Sequence, residues 1–271
     1  MNNKKCVVSY FSRGRENYYE GCLRMLESLN NTNYDGDALI FSPDFKEENI
    51  SELHYFKEGG KIQGIVGMPT TEKYGICPPH STHPYAFKVY CIQAAREKGY
   101  EEIIWLDCSV VALKNVSLFS DLAWEIGLVV FDNQGCEENT WTSDDCFEQL
   151  GIKPEDANYF QIDAAIQFWN FNRKKAIDIF EEYMKFCNDG ISLIGKSGSK
   201  RPEFNAHRHD QSILSAIIRK YLVLPLNYGA WCTSEDALFN KEYDPTVAKI
   251  SIANTLEQIY YTIRKNKGNG I

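Results

Sequence analysis

"EEIIWLDCSVVALKN", residues 101–115, carries a hydrophobic run to an abrupt stop at an acid, Asp107, before a second apolar run begins. A nearly all-apolar run of this length fits a strand covered on both faces, as in a parallel sheet. A carboxylate is poorly tolerated inside such a strand, where burial strips away its water. At the strand's end it keeps that water. Ligands of open α/β sheets bind beyond the carboxyl ends of the strands, so Asp107 is expected at the mouth of a cleft. An acid in that position also serves, more plainly, to start a turn or cap a backbone amide.

The segments around this run alternate in period. "CVVSYF" (6–11), "ALIFS" (38–42), "KIQGIVGMP" (61–69), "IGLVVFD" (126–132), "QIDAAIQFWNFN" (161–172) and "YLVLPL" (221–226) read as strands. "YYEGCLRMLESL" (18–29), "PYAFKVYCIQAAREKG" (84–99), "RKKAIDIFEEYMKFCND" (173–189) and "DQSILSAIIRKY" (210–221) have helical spacing. In the second of these, Pro84 suits a first helical position and Gly99 a C-terminal cap. Residues 190–209 hold glycines, serines and basic residues with little periodicity. They read as a mobile flap whose Lys196, Lys200 and Arg201 can close over phosphate. Strands alternating with helices predict parallel βαβ units and an α/β layer architecture.

Composition narrows the function. The 271 residues are 44% hydrophobic with a formal net charge of −8, which argues against nucleic acid or an anionic membrane as the main partner. No apolar stretch approaches the ~20 residues of a membrane span. The N-terminal apolar run is too brief for a signal peptide. The nine cysteines are scattered with no CxxC pair, so zinc and dithiol chemistry are not expected. The reading is a cytoplasmic protein with free thiols.

"GYEEIIWLDCSVVALKN" (99–115) resembles the stretch around the DxD motif of nucleotide-sugar glycosyltransferases with the GT-A fold. The likeness continues in "HPYAFKVYCIQAA" (83–95) and "HRHDQSILSAII" (207–218), and spans residues 80–225 with a looser match at the first strand. It implies a GT-A-like, Rossmann-like, mostly parallel sheet flanked by helices in a single domain over 1–271. Residues 1–132 would form mainly the donor half and 133–271 mainly the acceptor half. It further implies transfer of a sugar from a nucleoside diphosphate donor, a UDP-linked sugar, to a hydroxyl of a glycan or other acceptor.

On this resemblance Tyr10 and Arg13, just after the first strand, meet the base and phosphate, and Lys88 touches the donor. Asp107 holds Mn²⁺ or Mg²⁺ against the diphosphate or bonds sugar hydroxyls; hard cations favour oxygen ligands. The second acid of the motif is Ser109 here, a poorer, neutral ligand. His207 and His209 are the candidates to complete a metal shell, and Asp210 with Gln211 faces the sugar and acceptor. Asp210 alone can also be read as a helix cap. Asp210 and Asp163, the latter an acid within an apolar run, are the two catalytic candidates, either of which can serve as the base for the acceptor hydroxyl. His80 and His83 read as ordinary loop residues. Two rivals remain at this level: a nucleotidyltransferase of nucleotide-sugar synthesis, and a non-catalytic sugar- or protein-binding module. The former normally has a glycine-rich, basic phosphate loop after its first strand, which "SYFSRGREN" (9–17) matches poorly.

Overall fold

The computed structural model describes residues 4–12, 17–44, 55–112, 115–196 and 198–226; Arg13 lies outside them. Its main sheet is built from β1 (Lys5–Tyr10), β2 (Asp37–Ser42), β3 (Ile62–Val66), β6 (Glu102–Leu106), β7 (Leu128–Glu137) and β8 (Phe160–Asn170). The short pair β4 (Thr70–Thr71) and β5 (Gly75–Ile76) forms a separate ribbon. The order across the sheet is β3-β2-β1-β6-β8-β7. β3, β2, β1 and β6 are mutually parallel, whereas β8 runs antiparallel to both of its neighbours. This is the expected α/β, mostly parallel sheet, with one reversed strand. An apolar run buried on both faces has the same pattern in either direction, so periodicity alone does not reveal the reversal.

Alternation along the strands divides the core into two layers. Cys6, Val8, Leu39, Phe41, Ile103 and Trp105 point to one face. There they meet α2 (Phe87–Glu97), α6 (Lys174–Asn188) and α7 (Asp210–Lys220). Val7, Ile40, Ile104 and Leu106 point to the other, beneath α1 (Asn17–Asn31) and α3 (Ser117–Ile126). In register, Val8 lies between Leu39 and Trp105. The carboxyl ends of β1 and β6 therefore reach the same edge, and Asp107 emerges there.

Several expectations need correction. α2 begins at Phe87, not at Pro84, because Tyr85 takes a left-handed backbone (φ 63°) that a helix cannot contain. α3 and two short helices, α4 (Glu138–Trp141) and α5 (Asp144–Leu150), had no clear periodic signal. α4 spans only a single turn. The strand expected over 221–226 reduces to one bridge, between Leu226 and Phe131. No described helix is long and apolar enough to cross a membrane.

The turn that carries Asp107 is held from behind by α1. A Cβ on Gly21 would lie 2.7 Å from the Cys108 carbonyl oxygen. Alanine normally improves a helix by about 1 kcal/mol over glycine. Here it must displace backbone, and overpacking of this kind costs about 1–3 kcal/mol. Gly21→Ala is therefore expected to lower the thermal midpoint; a midpoint raised by several degrees would show that the Asp107 turn moves without resistance.

Candidate functional site

A cavity of about 750 Å³ opens at the edge where β1 and β6 end. Tyr10, Lys88, Asp107, Ser109, Asp163, His207, His209, Asp210 and Gln211 all line it. Residues from five separate segments thus meet at one place. The topology brings them there: Tyr10 ends β1, Asp107 follows β6, Asp163 lies in β8, Lys88 opens α2, and Asp210 and Gln211 open α7.

Lys88 joins these segments. Its Nζ is 3.2 Å from Asp107 Oδ1, 3.2 Å from Asp210 Oδ2 and 3.2 Å from the Ala164 carbonyl oxygen. An ammonium has three hydrogens, so these acceptors use all of its donors. Lys88 is only 4% exposed. Burial opposes its charge, but Asp107 and then Asp210 outweigh that effect and hold its pKa above the usual lysine value. The sequence reading had Lys88 reaching for the donor. In this geometry it lines the cavity and anchors the two aspartates.

The carboxylates differ in exposure. Asp107 keeps a third of its side chain exposed (33%). Trp105 Nε1 donates to the same Oδ1 that Lys88 contacts, at 2.7 Å. That leaves Oδ2 for a ligand. Asp210 is 3% exposed and also accepts from the Tyr183 hydroxyl at 3.3 Å. It is the first residue of α7 and not its cap; that position belongs to His209. Burial pushes the Asp210 carboxyl up, against the pull of Lys88. Asp163 is half-buried, and its Oδ1 accepts from the Ala165 amide at 2.8 Å. Burial pushes it up to about 6, with the Asp107 charge adding and the Ala165 amide and Lys88 opposing.

The expected metal shell of Asp107, His207 and His209 does not assemble: no group of three or more metal-ligating side chains occurs among the described residues. The reasons are local. Asp107 is engaged by Lys88 and Trp105. His209 Nδ1 lies 2.8 Å from the Leu193 carbonyl oxygen, which can only accept, so this nitrogen carries the proton. His207 Nδ1 accepts from the Ser143 amide at 3.3 Å. Burial and the neighbouring His209 pull its pKa down to about 4, so it is neutral at pH 7. Both contacts leave the Nε2 atoms of the histidines, but no third ligating side chain gathers with them among the described residues, so these residues do not form a protein-borne cation cage.

The 190–209 segment is tied to the body. Leu193 is fully buried. Arg201 bonds Asp144 Oδ1 at 2.8 Å and the carbonyls of Asn139 and Thr142. It is committed to these partners, not free to close over phosphate as expected. The sequence reading also missed part of the lining, which includes Tyr18, His80, Tyr85 and Phe87. Tyr10 stacks on Phe87 with ring centroids 4.2 Å apart, and His80 stacks on the same ring at 6.2 Å. Tyr85 and His209 contact each other at 5.5 Å, and both have positive φ. Strained backbone of this kind gathers at functional sites. No local periodicity announces it.

Two outcomes follow from the geometry. Lys88→Met should cost about 3–5 kcal/mol of stability at pH 8, because a buried carboxylate loses its partner. The loss should shrink towards pH 5. Asp210 then binds a proton more tightly folded than unfolded, so stability falls as pH rises. Denaturant titrations at both pH values check this, and an equal loss at each would assign Lys88 to packing. Mn²⁺ added to the protein without nucleotide should leave its thermal midpoint unchanged; a shift of several degrees would restore a protein-borne cage.

No protein-family model matches the chain, and no curated protein matches it. Solved structures do. The apo structure of the WbbM bifunctional glycosyltransferase superposes with a TM-score of 0.50 at 14% identity, over 72% of this chain and 37% of that one. The chain thus spans well under half the length of that protein. Mouse xyloside xylosyltransferase 1, also in its apo form, superposes with a TM-score of 0.52 at 11% identity, over 84% of this chain and 86% of that one. The reversed β8 beside parallel strands, the cavity beyond β1 and β6, and these superpositions together identify the architecture: the chain has the GT-A fold of glycosyltransferases.

Proposed function

We propose that the chain is a glycosyltransferase that moves a sugar from a UDP-linked donor to a hydroxyl of a glycan or other acceptor. The observation that carries this reading is the Asp107–Lys88–Asp210 cluster on the cavity wall where β1 and β6 end. Both superposed structures are transferases of sugars by their names, which supports it.

In this reading the stacked Tyr10–Phe87 wall takes the base, which offers a π-face to an aromatic ring. Asp107 Oδ2 and Ser109 meet hydroxyls of the ribose or the sugar. Arg208, whose guanidinium lies 5.3 Å from the Trp141 ring, has no hydrogen-bonded side-chain partner among the described residues and lines the cavity. It is the cation for the diphosphate, with Arg13 outside the described residues as the second. Asp210, nearly enclosed and bound to Lys88, orients that lysine and through it Asp107. Asp163 is the base for the acceptor hydroxyl: it opens onto the cavity, and a carboxyl held near 6 by burial accepts a proton more readily than an ordinary one.

A panel of UDP-sugars tests the reading by thermal shift and by release of UDP. At least one sugar should raise the midpoint and be turned over, and Asp107→Asn should stay folded while losing most of that turnover. Because a base works only deprotonated, kcat/KM should rise through pH 6 to a plateau. Asp163→Asn should lower the plateau by ~10²-fold and remove the pH step. A folded protein that neither binds nor turns over any UDP-sugar would reduce the site to a binding module.

A further inference from the structure

A chain of buried amides and hydroxyls reaches the cavity from the side opposite Lys88. Gln161, fully buried in β8, sets the two hydrogens of Nε2 among three acceptors, the Trp141 carbonyl at 3.3 Å, Thr142 Oγ1 at 3.1 Å and Ser212 Oγ at 3.1 Å. A backbone carbonyl can only accept, so this contact fixes which end of the Gln161 amide is nitrogen. Its Oε1 then points the other way, and it accepts from Gln211 Nε2 at 2.8 Å. The nitrogen of Gln211 is therefore committed to the interior. Its carbonyl oxygen is the end left for the cavity that Gln211 lines.

The outer end of the chain holds the same orientation. Ser212 gives its one hydroxyl hydrogen to the Trp141 carbonyl at 2.8 Å and so can only accept from Gln161. Beside it, Thr142 Oγ1 also bonds Glu138 Oε1 at 2.8 Å. Glu138 is fully buried, and its second oxygen has no hydrogen-bond partner among the described residues. A flip of Gln161 would set its oxygen against the Trp141 carbonyl and its nitrogen against that of Gln211, losing contacts at both ends. Buried groups stripped of partners cost about 1–3 kcal/mol each.

We infer that Gln161 is a positioning residue that locks Gln211 with its carbonyl oxygen towards the cavity, as an acceptor for a hydroxyl of the sugar being transferred. The inference rests on the sugar-transfer reading for what the oxygen meets, and on hydrogen bonds alone for its orientation. It goes beyond the sequence reading, in which Gln161 carried no role.

The experiment is a double-mutant cycle on UDP release from UDP-glucose and UDP-galactose. Gln161→Met should lower kcat about tenfold, the scale of one lost hydrogen bond, while the KM for the sugar nucleotide changes little. Gln211→Met should do at least as much. Because Gln161 acts through Gln211, the double variant should be no slower than Gln211→Met alone. Additive losses would overturn the inference. The wild-type protein supplies a reading that does not depend on the variants folding: the Gln211 side-chain amide protons should exchange slowly with solvent by NMR. Fast exchange would put the nitrogen in the cavity and overturn the inference by itself. A wild type that releases no UDP from either sugar, with those protons slow, would instead remove the transfer reading and the role in turnover that depends on it.

Discussion

One ammonium group organises this site. Lys88 Nζ reaches the end of β6 through Asp107, the start of α7 through Asp210 and the backbone of β8 through Ala164. Removing a lysine from water is unfavourable unless its hydrogens and its charge are both met, and here they are. The arrangement works in both directions. The aspartates keep the lysine charged, and the lysine keeps at least one oxygen of each aspartate in a fixed place. A carboxylate held this way at the edge of a cavity can meet ligand hydroxyls without reorganising.

The same cluster accounts for the difference between the expected and observed metal chemistry. A carboxylate shared with a lysine and an indole has less to offer a cation, and Ser109 adds only a neutral oxygen. The histidines expected to complete a shell bond backbone groups of the adjoining loops through Nδ1, His207 to Ser143 and His209 to Leu193, and no third ligating side chain gathers with them among the described residues. Their role is to fasten the 190–209 segment beside α7. Arg201 does likewise from its other end, through Asp144.

Two polar systems thus border the cavity from different sides. One is ionic and centres on Lys88; the other is neutral and runs from Glu138 through Gln161 to Gln211. Burial pushes the Glu138 carboxyl up to about 8, so the second system is largely uncharged at neutral pH. A neutral network can be buried completely if its donors and acceptors match, because orientation, not charge, is what it transmits. Both systems are made by α7 packing against β8, so the same packing that completes the core also sets the polar groups of the cavity.

Much of the architecture was legible in the residues alone. Apolar runs of strand length, helices with a marked buried stripe, and a strand that stops at Asp107 are local patterns, and local patterns survive into the fold because burial selects them. The cavity lining was legible to the same degree: Tyr10, Lys88, Asp107, Ser109, Asp163, His207, His209, Asp210 and Gln211 are polar residues where apolar periodicity breaks, and all of them line it. What the sequence does not contain is the pairing between those residues. Whether β8 runs parallel or antiparallel, whether Lys88 faces a ligand or two aspartates, and which end of the Gln211 amide meets the cavity depend on groups 19 to 122 positions apart in the chain. Those contacts follow from sheet order and from the demand that each buried donor find an acceptor, and only the assembled structure decides them.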